Sequence, residues 1–167
     1  MNAKKLSFLL LILVAVACTN RSTSSEQDEM RHWNNVLQQI NALLLENKAR
    51  QTLDLAKQTL PEILKKKKKN GTTDTLIYYA RKIFNACGNN YINTKQYKDG
   101  IDYMDSIGNH PLIREHCPHE LLSFKAGLNQ LYGNNPEAVR LAEDYLQLPV
   151  CTSANDFIRQ AEIISGV

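Results

Sequence analysis

Glycine and proline are scarce in this chain of 167 residues, which holds seven and five of them. A many-turned β-sandwich relies on both residues at its corners, so that architecture is excluded. Aromatic residues make up 7%, with a single tryptophan, yet 43% of the chain is hydrophobic and 22% charged. That balance suits an ordinary globular chain of about one domain and excludes disordered or collagen-like classes. A strong excess of one charge is also missing, since 20 basic residues face 17 acidic ones. Without residues 1–17, which carry Lys4 and Lys5, 18 basic residues remain against 17 acidic. Five of those are the run Lys65–Lys69, and outside it 13 basic residues meet 17 acidic. Nucleic-acid partners are therefore not expected, because phosphate binding needs a basic face rather than one short run. No glycine-rich phosphate loop, nucleophile elbow or HExxH stands in the sequence. On that ground neither an enzyme nor a cofactor is expected.

What is present begins with a leader. Two lysines in Met1–Lys5 precede the uncharged apolar stretch Leu6–Ala17. A transmembrane helix needs roughly 20 apolar residues, and this pattern of charged start, apolar middle and small-residue end is that of a secretory signal. It closes on Val14-Ala15-Val16-Ala17-Cys18. Small residues directly before a cysteine resemble the lipobox of bacterial lipoproteins, although Ala15 stands where that pattern prefers leucine. The resemblance implies removal of residues 1–17 and a lipid on Cys18. It also implies anchorage in a bacterial cell envelope, at the outer membrane. The polar residues 18–29 read as a flexible tether with little to bury.

Apolar residues beyond the tether recur at helical spacing. Phe84, Gly88 and Tyr91 share one face, a break follows at Asn93-Thr94-Lys95-Gln96, and Gly100, Met104 and Ile107 mark a second helix before Pro111. Phe84 and Gly100 are 16 residues apart, and Gly100 and Pro111 are 11 apart. A shift of 38 residues finds Leu122, Ala126, Ala138, Ala142, Tyr145 and Pro149 at the same spacings. Upstream, Trp33, Val36, Leu37 and Ile40 are followed by Ala49, Leu53, Ala56 and Pro61, with Trp33 again 16 residues before Ala49. In the third copy Lys125 and Asn129 occupy positions where apolar residues are expected.

These spacings resemble the tetratricopeptide repeat (TPR), in which small residues let paired helices approach closely. The resemblance implies an all-α fold: a short α-solenoid of about three TPR-like helical hairpins plus a C-terminal capping helix. The expected repeats span about 30–63, 80–112 and 119–150, within a domain covering 30–167. The cap spans 152–165 and presents Phe157, Ile158, Ala161 and Ile164. Copies one and two are 51 residues apart, from Ala49 to Gly100, whereas TPR units usually repeat at about 34. The extra length implies that the second helix runs past Pro61 through Leu64 into the lysines and stops at Asn70-Gly71. Thr72-Thr73-Asp74 then caps a long third helix.

The lysine run itself reads as a solvated helix end that complements the helix dipole. Contact with an anionic leaflet is the alternative. The densest reactive cluster is His110, His116, Cys117 and His119, expected on a loop between hairpins, and a metal site there is a weaker alternative to polar loop residues. Cys87 falls on the packing face as a small core residue. Cys117 and Cys151 flank the third hairpin. A bond between them would close about 33 intervening residues and add roughly 3–4 kcal/mol.

The TPR resemblance also implies a concave groove lined by the first helix of each hairpin. Its residues are expected to be Arg31, Asn34, Gln38 and Asn41, then Lys82, Asn85, Asn89 and Asn93, with Ser123 and Gln130 in the third copy. Carboxamides both donate and accept, which suits an extended peptide backbone. The reading is an envelope lipoprotein acting as a non-catalytic protein- or peptide-binding module. Its membrane contact is the lipid anchor. A sensory repeat fragment acting in trans and a metal-binding envelope protein are the alternatives.

Overall fold

The computed structural model describes residues 27–66, 74–149 and 154–166. Residues 27–45 form α1. The later helices are α2 (Ala49–Leu64), α3 (Asp74–Asn93), α4 (Tyr97–Gly108), α5 (Pro111–His116), α6 (Pro118–Tyr132), α7 (Asn135–Leu146) and α8 (Ala154–Ser165). Among the described residues there is no strand, and the protein is all-α. None of these helices is long and apolar enough to cross a membrane. The leader, Cys18 and the first part of the tether lie outside the described residues. So do Lys67–Lys69, Asn70-Gly71, Thr72-Thr73 and Cys151.

The chain divides into two units, one ending at Val36 and the other starting at Leu37. In the first, Trp33 and Val36 are buried, and the Trp33 ring meets His32 edge-on at 4.6 Å. In the second, each helix from α2 onward packs against the next in chain order, as a short helical-repeat stack.

One backbone turn is made three times. After α1, Lys48 N–H donates to the Leu43 carbonyl and Asn47 N–H to that of Leu44. After α3, Gln96 donates to Tyr91 and Lys95 to Ile92; after α6, Asn134 donates to Asn129 and Gly133 to Gln130. Each is a Schellman closure, in which a left-handed residue lets the chain satisfy two orphan carbonyls at a helix end. The left-handed residues are Asn47, Lys95 and Gly133, at φ 56°, 58° and 92°. Each following helix begins alike, with Thr52, Gly100 and Ala138 donating to Lys48, Gln96 and Asn134.

These turns correct the expected register of the first copy. The residue aligned with Gly100 and Ala138 is Thr52, which is fully buried, rather than the half-buried Ala49. Threonine can serve as a small packing residue here because its Oγ1 donates back to the Lys48 carbonyl at 3.0 Å. By the same count Ile40, Gly88 and Ala126 share a position, all buried. At Gly88 an added Cβ would lie 2.5 Å from three ring atoms of Phe124, so glycine is what admits α6 against α3.

Asn129 is buried although polar. Its Nδ2 donates to the Lys125 carbonyl at 2.9 Å, and its Oδ1 accepts from Asn134 Nδ2 at 2.9 Å. The third copy therefore tolerates an amide on its packing face because both ends of that amide are paired.

The segment expected as a loop between hairpins is instead helical. His110 caps α5 by accepting from Leu112 N–H through Nδ1 at 3.3 Å, and Pro111 and Pro118 begin α5 and α6. Proline suits the first helical turn, where its missing N–H costs nothing. As expected, α2 continues past Pro61, but it ends at Leu64 with Lys65 as its C-cap and Lys66 outside the helix, so it does not run on into the lysines as expected. The next helix, α3, starts at Asp74, an acid at the positive end of the helix. The C-terminal helix buries Gln160 and Ile163; of the face expected to pack, Ile164 is half-buried and Ala161 exposed, and the side chains of Phe157 and Ile158 lie outside those described. Ile163 and Ile164 join Leu122, Ala126, Ala138, Leu141 and Ala142 in one apolar cluster. Gln160 sits there because its Nε2 donates to Ser123 Oγ at 3.2 Å.

Candidate functional site

The expected groove residues meet different fates. Arg31 and Asn34, in the first unit, are exposed, and Arg31 pairs with Asp28 at 3.6 Å. Gln38 and Asn41 are exposed on α1. Counted from the shared turn, Asn41 holds the position of Asn89, whereas Gln38 holds that of the buried Ala86. On α3, Lys82, Asn89 and Asn93 are exposed, with Lys82 Nζ 5.6 Å from the centre of the Tyr78 ring. Asn85 is half-buried, and its Oδ1 is covered without a hydrogen-bond partner. Ser123 is buried against Gln160, and Gln130 is half-buried. The open carboxamide row on α3 therefore consists of Asn89 and Asn93.

Asn93 belongs to a cleft of about 280 Å³ that it lines with Leu44, Asn47, Lys48, Ala49 and Asn90. The cleft lies where the first hairpin turn and the start of α2 meet the end of α3. Asn90 was not among the expected site residues, because it falls on the apolar stripe between Cys87 and Tyr91. Its side chain is 0% exposed, and Nδ2 donates to the Ala86 carbonyl at 2.8 Å, while Oδ1 has no partner. A polar residue inside an apolar stripe was the available signal.

A second cluster joins α2, α3 and α4. Lys57 Nζ lies 5.4 Å from the centre of the Tyr91 ring and 5.9 Å from that of Tyr103. The hydrogen bond with Tyr91 raises the Lys57 ammonium above its ordinary value, so the cation over the rings is held charged. Burial raises the Tyr91 hydroxyl, and burial followed by the neighbouring Cys87 raises that of Tyr103. Cys87 Sγ is 3.9 Å from Tyr103 Oη, and burial pushes its thiol up to about 12. A buried thiol that stays protonated is a poor nucleophile, and the contacts of this cluster are those of packing.

At the α5–α6 junction Arg81 bonds the His116 carbonyl and pairs with Glu120 at 3.2 Å. Cys117 is buried there as a free thiol, raised to about 11 by burial first and Glu120 second. Its expected partner Cys151 lies outside the described residues. A smaller cleft of about 200 Å³ is lined by Leu64, Lys66, Glu115 and the segment containing His110 and His116. Among the described residues no three His, Cys, Asp or Glu side chains stand together as metal ligands, and this includes the His110–His119 segment.

Comparison with protein-family models, with curated proteins and with solved structures found no match to the chain.

Proposed function

We propose that this chain is a lipid-anchored protein of a bacterial envelope that binds a protein or peptide partner without catalysis, through TPR-like hairpins. The observation that carries the repeat reading is the Schellman turn made three times, with buried residues at matched positions on either side of it and small ones, Thr52, Gly100 and Ala138, at the position after it. The carboxamides exposed on α3 support a peptide-backbone ligand. The anchor rests on the leader and on the small residues before Cys18, and outer-membrane placement follows from the same resemblance.

Two experiments test this reading. Lipid labelling of the wild type is expected to disappear in Cys18→Ala, and labelling that persists would remove the anchor. Crosslinking and pull-down from envelopes, comparing the wild type with Asn85→Asp/Asn89→Asp, is expected to lose specific partners. Identical partner lists would show that α3 is not the binding surface.

A further inference from the structure

We infer that the cleft between the end of α2 and α5 is a binding site for a phosphate ester carrying a small aliphatic group. That chemistry is shared by a soluble glycerol or sugar phosphate and by the headgroup of an anionic lipid. Neither the hairpin turns nor the carboxamides of α3 take part, so the site is independent of the proposed function.

Three side chains able to donate to an anion line this cleft of about 200 Å³: Lys66, His110 and His116. Lys66 follows the C-cap of α2, and the two imidazoles stand at opposite ends of α5. The His110 ring uses Nδ1 to accept the Leu112 N–H, so in its neutral form the ring proton sits on Nε2. The bond that caps α5 therefore fixes His110 as a donor at its other nitrogen. His116 keeps its side chain 34% exposed, with Nε2 4.0 Å from Glu115, the one acid lining the cleft. The next acid, Glu120, is paired with Arg81, which also bonds the His116 carbonyl and holds the end of α5 in place. The chain neighbours Lys65 and Arg114 are exposed cations.

The kind of donor selects phosphate over carboxylate. A planar carboxylate is matched by the two-pronged fork of arginine, and no arginine lines the cleft. An ammonium acts as a point charge, and with two imidazoles from separate points on the backbone it suits an anion whose oxygens point in different directions, as those of a tetrahedral phosphate do. The rest of the wall is apolar, formed by Leu64, Pro111 and Leu112, of which Leu64 is buried. Apolar wall beside a cluster of donors suits an ester with its carbon attached better than inorganic phosphate alone. The cleft is smaller than the roughly 300–1,000 Å³ of drug-sized pockets, so it holds one phosphate and a few carbons.

The test is calorimetric titration of the purified protein with glycerol 3-phosphate and with glycerol, beside co-sedimentation with phosphatidylglycerol and phosphatidylcholine vesicles. Lys66→Ala is expected to weaken binding about five- to tenfold, and His116→Gln about three- to fivefold. Glu115→Gln is expected to tighten it about two- to threefold. His110→Asn keeps an N-cap acceptor for Leu112 but removes the Nε2 donor, and a loss like that of His116→Gln is expected. Lys66 is exposed, so its variant keeps the test valid should a change in α5 disturb the fold. Lys98→Ala, at an exposed ion pair with Asp102 on α4, is expected to leave binding unchanged. Binding to anionic vesicles that falls in His116→Gln assigns the site to lipid headgroups. Glycerol 3-phosphate binding that falls there, with no preference for anionic vesicles, assigns it to soluble esters. Glycerol binding as well as its phosphate, equal losses in Lys98→Ala and Lys66→Ala, no effect of His116→Gln with either probe, or no binding of any probe overturns the inference.

Discussion

The hairpins α3–α4 and α6–α7 close with the same turn but fill the space beneath it in opposite ways. Under the first lies Tyr91, an aromatic wedge whose ring is 5.5 Å from that of Tyr103 and covered by Lys57. Under the second lies Asn129, a small amide tied to Lys125 and Asn134. The left-handed residue differs too, Lys95 in one and Gly133 in the other. What the copies share is therefore backbone: two hydrogen bonds, one left-handed residue and a close-packed position one turn inside each helix. The side chain beneath the turn is free to vary if it fills the volume or pairs its polar atoms.

The largest break in that comparison is expected at Gly88 and its counterpart Ala126. Gly88→Ala puts a methyl group 2.5 Å from the Phe124 ring, which is itself buried, and is expected to cost about 2–3 kcal/mol in chemical denaturation. Ala126 already carries that methyl in the third hairpin, so Ala126→Gly loses only burial and backbone entropy, about 1 kcal/mol. Equal effects at the two sites would mean that the positions are not equivalent.

Next in size is Asn129. Asn129→Ala removes the acceptor for Asn134 Nδ2 and is expected to destabilise by about 1–2 kcal/mol. Tyr91→Phe, which removes only the hydroxyl bonded to Lys57, is expected to cost less than about 1 kcal/mol. A larger loss for Tyr91→Phe than for Asn129→Ala, measured by thermal melting, would place the polar anchor in the α3–α4 hairpin instead.

Asn129 also marks how far the sequence could be read. The helical class, the break at Asn93–Gln96 and the packing role of Gly88 and Gly100 follow from residue spacing alone, because glycine and large apolar residues have few uses at those intervals. The register of the first copy did not. Trp33 and Ala49 look like the anchor and the small residue, whereas Thr52 packs at the equivalent position by satisfying its own hydroxyl. Polar groups paired inside the fold, Thr52 and Asn129 among them, look solvent-facing in a sequence. Asn90 is hard to read for a related reason: it lies on the buried stripe between Cys87 and Tyr91, where an amide looks like an interruption of the stripe rather than a buried member of it. The α5 helix was hidden because His110, Pro111 and Pro118 read equally well as loop residues or as helix starts.

The left-handed position gives a smaller contrast of opposite sign. Gly133→Ala forces a methyl-bearing residue to φ 92°, at an expected cost of about 1 kcal/mol, although nothing lies within 4 Å of the added Cβ. Lys95→Gly relieves a strained residue at φ 58° and gives back the entropy of a freer unfolded chain. The expected result is a net gain of no more than about 0.5 kcal/mol. Matching losses at both positions would show that Lys95 is held by contacts its conformation does not reveal.

The smallest effect separates the hairpins by pH. At the start of α7, Arg140 bonds Glu137 through Nε and Nη2 at 2.8 and 2.7 Å and reaches Asp144 at 2.7 Å. The bond from Arg140 holds the Glu137 carboxyl below its ordinary 4.5. A carboxyl lowered in the folded state gives stability that is present in full above the unfolded value and is lost as pH falls through the lowered one. The window therefore opens just above pH 4.5 and runs downward. Both partners are substantially exposed, so solvent screening leaves only a small stability difference. Comparison of Arg140→Gln with the wild type is expected to show that difference at pH 7 in low salt, shrinking by pH 3 and in 1 M salt. A difference of the same size at both pH values would mean that Arg140 acts through its aliphatic stem on α7 rather than through its charge.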